Sequence, residues 1–188
     1  MRKLILASSS PRRAQLIKLL SMSYNIIAPN IDETALINEN HIEYVLRISK
    51  EKAESIYSDR NDFLVIGADT IVFNGKILGK PKDKFHAYNM IKNLSGKTHS
   101  VITGVTILDN LTAKKSIFYV ETKVTFDRIS KEEINKYVES NEPYDKAGGY
   151  AIQGDAFKFI KSINGCYYNV MGFPLYEIYK NLKKFDIS

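Results

Sequence analysis

The stretch that most limits how this chain can fold is FLVIGADTIVF, residues 63–73. Its apolar side chains run on without alternation, the pattern of a strand buried within a sheet. One carboxylate, Asp69, interrupts it. An ionised carboxylate taken out of water costs several kcal/mol unless a partner offsets it. Two explanations stand. Asp69 accepts hydrogen bonds from a neighbouring turn, with Gly67 marking a bulge, or the strand opens onto a cleft where the acid has chemical work. The small residues Gly67 and Ala68 ahead of the acid favour the second.

Around this strand, helices alternate with long strands. Residues 3–7 read as a strand and 11–20 as a helix, with Ser10 as N-cap and Pro11 in the first turn. A second strand lies in YNIIAPNIDE. A helix over 42–57 follows, with Ile42, Val45, Leu46, Ser49, Ala53 and Ile56 on one face. Asn74-Gly75 turns a hairpin into KILGKP. Asp83 caps a helix ended by Gly96, and two alternating strands follow, THSVITGVTILD and SIFYVETKVTFDRI. Ser130 with Glu133 forms a capping box for a helix over 131–140. A last hairpin is expected at Asn164-Gly165, and a terminal helix over 175–185. The alternation indicates an α/β fold around an extended mixed sheet, the hairpins excluding an all-parallel one.

In SSSPRR, residues 8–13, two arginines stand in the first turn of a helix, where acidic residues are favoured by the dipole. Either both are solvated surface charges, or an anion occupies that end. Amide N–H groups, serine hydroxyls and two guanidinium forks would together make a phosphate site.

Other residues carry weaker signals. Val45, Ser49, Lys52 and Ile56 share a helical stripe, so Lys52 faces the protein body, either snorkelling outward or meeting a carboxylate or phosphate. Asp32 and Glu33 form an acidic pair in a loop, a solvent-facing feature without further support. Lys80 follows the hairpin and is equally ambiguous. Gln153, beyond a glycine loop, either reads a base edge or closes a turn.

Absent motifs narrow the choice. No Walker A or dinucleotide-binding glycine pattern is present, and Ser8–Ser10 lack the nucleophile-elbow context. His41, His86 and His99 have no ligand-like spacing and are expected on a surface or helix. The single cysteine, Cys166, excludes an intramolecular disulfide and reads as a small core residue. The N-terminal apolar run is too short for a signal peptide or membrane span, so a cytoplasmic location without membrane association is expected. A formal net charge of +6 suits anionic partners, nucleic acid or phosphorylated small molecules, without choosing between them.

Taken together, the cations suit a polyphosphate. Glu33 and Asp69 suit a hard divalent cation, magnesium or manganese, bridging phosphate oxygens. The corresponding chemistry is attack of water on a phosphoanhydride, with an acid orienting or deprotonating the water.

SSSPRR, DE at 32–33, EKA at 51–53, GADT at 67–70, GKP at 79–81, DKAGGY at 145–150, IQG at 152–154 and NG at 164–165 together resemble the Maf family. The resemblance covers essentially the whole chain, in order, as a single domain over residues 1–188. It implies an elongated two-lobed fold around the sheet with a central cleft, related to inosine triphosphate pyrophosphatases and commonly homodimeric. It also implies a divalent-metal nucleoside triphosphate pyrophosphatase that releases a nucleoside monophosphate and pyrophosphate. Carried over by position, Asp69 matches the proton acceptor, and Ser8, Arg13, Glu33, Lys52 and Lys80 match the phosphate-and-metal cluster. Arg12, Thr70 and Gln153 match the branch resembling dTTP/UTP pyrophosphatases. The 7-methyl-GTP branch carries tryptophan, glutamine and glutamate there. A neutral amide can pair with a uracil or thymine edge, whereas a carboxylate and an aromatic platform suit a cationic guanine.

A protein that grips nucleic acid or regulates cell division, without turnover, is the alternative of a different class. The absence of RRM, KH and helix-turn-helix signatures, and an acid inside a strand, weigh against it. Modified pyrimidine triphosphates remain a further substrate class.

Overall fold

A computed structural model of the protein describes residues 2–57 and 62–185. The elements, in chain order, are β1 (Lys3–Ala7), α1 (Pro11–Ile17) with a following 3-10 turn to Leu20, β2 (Tyr24–Ile27), α2 (His41–Glu54), β3 (Phe63–Phe73), β4 (Ile77–Leu78), α3 (Lys84–Leu94), β5 (Thr98–Asp109), β6 (Lys115–Phe126), α4 (Lys131–Val138), β7 (Ile160–Asn164), α5 (Tyr167–Val170) and α6 (Leu175–Leu182). The strands form one seven-stranded mixed sheet in the order β2-β1-β3-β5-β6-β7, with β4 on β3.

Two compact units divide the described chain. The first comprises residues 2–57, 62–69, 103–120 and 172–185; the second comprises Thr70–Ile102 and Glu121–Met171.

In the first unit β1 runs parallel to β2 and β3, Ala7 lying opposite both Ile27 and Gly67. Leu4, Leu6, Ile17, Val45, Ile48, Leu64, Ile66, Val105 and Ile107 are fully buried there. Burying each such side chain contributes about 1.5–3 kcal/mol. Helix α2 opens on a capping box: Asn40 accepts from the Ile42 and Glu43 amides, and Glu43 accepts from the Asn40 amide. It then lies on two glycines of adjacent strands. A Cβ at Gly67 would stand 2.2 Å from the Ser49 carbonyl oxygen, and one at Gly104 2.2 Å from that of Val45. Gly67 sits in regular register, so its role is this close approach and not a bulge.

In the second unit the predicted hairpin is present, with Val72 opposite Leu78 and Phe73 opposite Ile77. Asp83 and Ser130 cap α3 and α4 as the local chemistry predicts. Val72, Ile91, Leu94, Val124, Phe126, Tyr137 and Phe159 form the core.

Five expectations change. Helix α2 ends at Glu54 and α4 at Val138, each earlier than the apolar periodicity suggested. The turn at Asn164-Gly165 makes no new hairpin: β7 pairs backwards with β6, and the chain enters α5. Thr122 draws it in, its hydroxyl accepting from the Cys166 amide at 3.0 Å and from Asn169 Nδ2 at 3.0 Å. Cys166 is partly buried at this junction and not a core residue. His99 lies within β5 at 2 % exposure, its Nε2 2.7 Å from the Tyr150 hydroxyl, rather than on a surface or helix.

Candidate active site

The polar residues singled out in the sequence converge most closely in the first unit. At the end of β1, Ser8 is buried and its amide donates to the Ile27 carbonyl. Its hydroxyl accepts from the Ser10 amide at 3.1 Å and, more weakly, from an Arg13 guanidinium nitrogen at 3.4 Å. Ser10 caps α1, and Pro11 occupies its first turn. The two arginines then part company. Arg12 is half-buried, whereas Arg13 turns inward, 8 % exposed, and donates from Nε to the Gly172 carbonyl at 2.8 Å.

Burial pulls the Arg13 guanidinium below its usual range, and Arg12 adds to this, while the negative charges of Asp69 and Glu33 oppose it. A cation at the positive end of a helix is thus tolerated because a carbonyl and two carboxylates offset it.

Lys52 is the hub of the site. From the buried face of α2 its ammonium lies 2.7 Å from Asp69 Oδ1 and 2.9 Å from Glu33 Oε1. Asp69 sits near the end of the inner part of β3, and the Lys52 and Asp69 side chains are only 7 % and 10 % exposed, against 53 % for Glu33. Gly67 makes this meeting possible: with the helix seated directly on the strand, a lysine reaches an acid two residues farther along. What offsets the Asp69 charge is thus an ion pair from another element.

Glu33 belongs to the irregular segment 28–40 between β2 and α2. Tyr44 donates its hydroxyl to the Glu33 carbonyl at 3.0 Å, and burial together with Asp69 and Glu33 pushes that phenol up to about 12. Asp32 turns away, capping Thr34. Tyr44 and Arg47 escaped notice in the sequence. The Asn40–Glu43 box was a usable local signal for where their helix starts; the loop they hold was not.

The remaining candidates lie in the second unit. Thr70 directly follows Asp69 in β3 and is half-buried, while Lys80 is exposed beyond β4. Gln153 is exposed on a turn. That turn is held by Glu142, whose carboxylate accepts from the Asp155 amide at 2.7 Å and the Ala156 amide at 3.3 Å. Among the described residues no helix is long and apolar enough to cross a membrane, and no three His, Cys, Asp or Glu side chains group as a metal site.

Comparison with known proteins adds independent findings. The profile of the family described as Maf-like protein matches residues 3–185. A protein named dTTP/UTP pyrophosphatase from Clostridium novyi is 50% identical over 181 residues, 95% of each chain. One of the same name from Bacillus cereus is 44% identical over 100% of this chain and 98% of its own. Another, from Syntrophus aciditrophicus, is 47% identical over 96% of this chain and 89% of its own. The solved structure of the Staphylococcus aureus Ham1 protein matches with a TM-score of 0.52, over 97% of this chain and 99% of that one. At 11% identity this is a likeness of fold alone.

Proposed function

The chain belongs to the Maf-like protein family, and on that premise we propose that it is a nucleoside triphosphate pyrophosphatase acting on dTTP and UTP. The observation that carries this reading is the buried Lys52 ammonium held between Asp69 and Glu33, beside an inward-facing Arg13. Relatives that are 44–50% identical and bear the name dTTP/UTP pyrophosphatase support the same substrates.

In the proposed reaction a water oxygen bonds to one phosphorus of the α–β bridge as the bridging P–O bond breaks. Asp69 accepts the proton that the water gives up, and the nucleoside monophosphate and pyrophosphate separate. Arg13 and Lys52, joined by Arg12 and Lys80, offset the negative charge that builds on the phosphate oxygens. Ser8 fixes the Arg13 fork. Lys52 also keeps both carboxylates aimed at one point.

Glu33 and Asp69, which both meet the Lys52 ammonium, supply carboxylate oxygens of the kind taken by magnesium or manganese, which use one or two carboxylates and complete their shell with phosphate oxygens and water. Glu33 and Asp69 would hold such an ion, which supplies Lewis-acid polarisation of the phosphates when bound. Arg12, Thr70 and Gln153 are assigned to pyrimidine selection, Gln153 through its amide. The proposal extends to a cytoplasmic homodimer without nucleic acid as a partner.

The test is pyrophosphate release from a nucleoside triphosphate panel with magnesium or manganese, wild type beside Asp69→Asn. Turnover of dTTP and UTP that falls at least about 10²-fold in the variant is expected. Preference for 7-methyl-GTP would overturn the assignments of Arg12, Thr70 and Gln153. A folded protein that turns over no triphosphate would point to anion binding alone.

A further inference from the structure

Glu33 has little of its own to hold it in place. It is half exposed, and the segment 28–40 that carries it contributes no strand or helix. Yet its carboxylate is held at 2.9 Å from the Lys52 ammonium. The restraint comes from α2. All of the Arg47 guanidinium's donor capacity is directed at this segment and at its own helix. Nε and one terminal nitrogen fork onto Glu39 at 2.5 and 2.8 Å, and the same terminal nitrogen reaches the Thr34 carbonyl at 3.0 Å. The other meets both oxygens of Glu51 at 3.2 Å. Glu39, its side chain 6 % exposed, accepts in turn from the Leu36 amide at 3.1 Å. Tyr44, one turn before Arg47, donates to the Glu33 carbonyl at 3.0 Å.

The loop is therefore pinned at Glu33 and just after it by Tyr44 and Arg47 of α2. We propose that Arg47, assisted by Tyr44, is a positioning residue that holds Glu33 over Lys52 and so completes the acidic half of the site. The inference rests on the role given to Glu33 under the proposed function. A planar fork with five donors is required, because three separate acceptors must be met at once.

The experiment is a double-mutant cycle on dTTP hydrolysis. Arg47→Ala is expected to lower kcat/KM about tenfold or more in the wild type and by less than about twofold in Glu33→Ala. Arg47→Lys keeps the charge but cannot fork, and is expected not to restore activity. Tyr44→Phe, which removes one hydroxyl and keeps the ring, gives the same cycle should Arg47→Ala fail to fold. Hydrogen exchange supplies a readout apart from turnover. The Thr34 and Leu36 amides of Arg47→Ala are expected to exchange about tenfold faster while those of β3 stay protected. Equal losses in both backgrounds, full rescue by Arg47→Lys, or unchanged loop exchange would each overturn the proposal alone. Undiminished turnover in Glu33→Ala would overturn the role of Glu33 and this inference with it.

Discussion

Lys52 reaches Asp69 at 2.7 Å across the interface of α2 and β3, and little water reaches either side chain. An ion pair sealed in this way adds little net stability, since desolvation of both charges offsets their attraction. Under the proposed function its value lies in chemistry: it sets a carboxylate and an ammonium side by side. The cost of breaking it is large and lopsided, because Lys52 keeps a direct partner in Glu33, whereas Asp69 keeps only the more distant charge of Arg13 among the described residues.

Lys52→Met should therefore destabilise the protein by about 3–5 kcal/mol, since Asp69 loses the ammonium that faces it. Asp69→Asn should be milder, as Glu33 still pairs with Lys52. Lys52→Met with Asp69→Leu should recover most of the stability and none of the turnover. Urea midpoints and pyrophosphate release on the three variants check this, and equal destabilisation by the two single changes would contradict it.

Gly67→Ala should break the seat of α2. The new methyl would stand 2.2 Å from the Ser49 carbonyl oxygen and 2.7 Å from the Ala53 amide nitrogen, so helix and strand must separate. Overpacking of this kind costs about 1–3 kcal/mol, and moving α2 also withdraws Lys52 from Asp69, so activity should fall as well. Gly79→Ala, with nothing within 4 Å of its new Cβ, serves as control and should lie within about 0.5 kcal/mol of wild type.

His99 should make stability fall in mild acid. Burial holds its imidazole down to about 4, whereas the unfolded chain takes up that proton near pH 6.5. Between those values the unfolded state binds more protons, so the contribution is complete above pH 6.5 and is lost as the pH falls towards 4. Its size is on the order of 3 kcal/mol. Urea unfolding at pH 7 and 4.5, wild type beside His99→Phe, measures it. The variant should show the shallower loss, and parallel curves would assign the acid sensitivity to other groups.

What the sequence determined by itself is local. The caps at Ser10, Asp83 and Ser130, the strand over 63–73 and the Asn74-Gly75 hairpin all follow from chemistry acting over a few residues. The cost of burying Asp69 was equally visible, because an isolated carboxylate in an apolar run is anomalous wherever the strand ends up. The ordered motifs then named candidate site residues, and the structure brings Arg13, Glu33, Lys52 and Asp69 within reach of one another's charge.

The partner of each charge was decided only by the tertiary structure. Lys52 lies 17 positions before Asp69, and nothing local says that the helix rests on bare glycine backbone at Gly67 and Gly104. Arg47 carries no local signal of its role, since its fork goes to Glu39 and Thr34 in the preceding loop. His99 and the segment after Gly165 were misjudged for the same reason. Periodicity and capping describe how a chain meets itself over one turn or one hairpin, whereas burial and ion pairing depend on which elements approach, and how closely, once the sheet has formed.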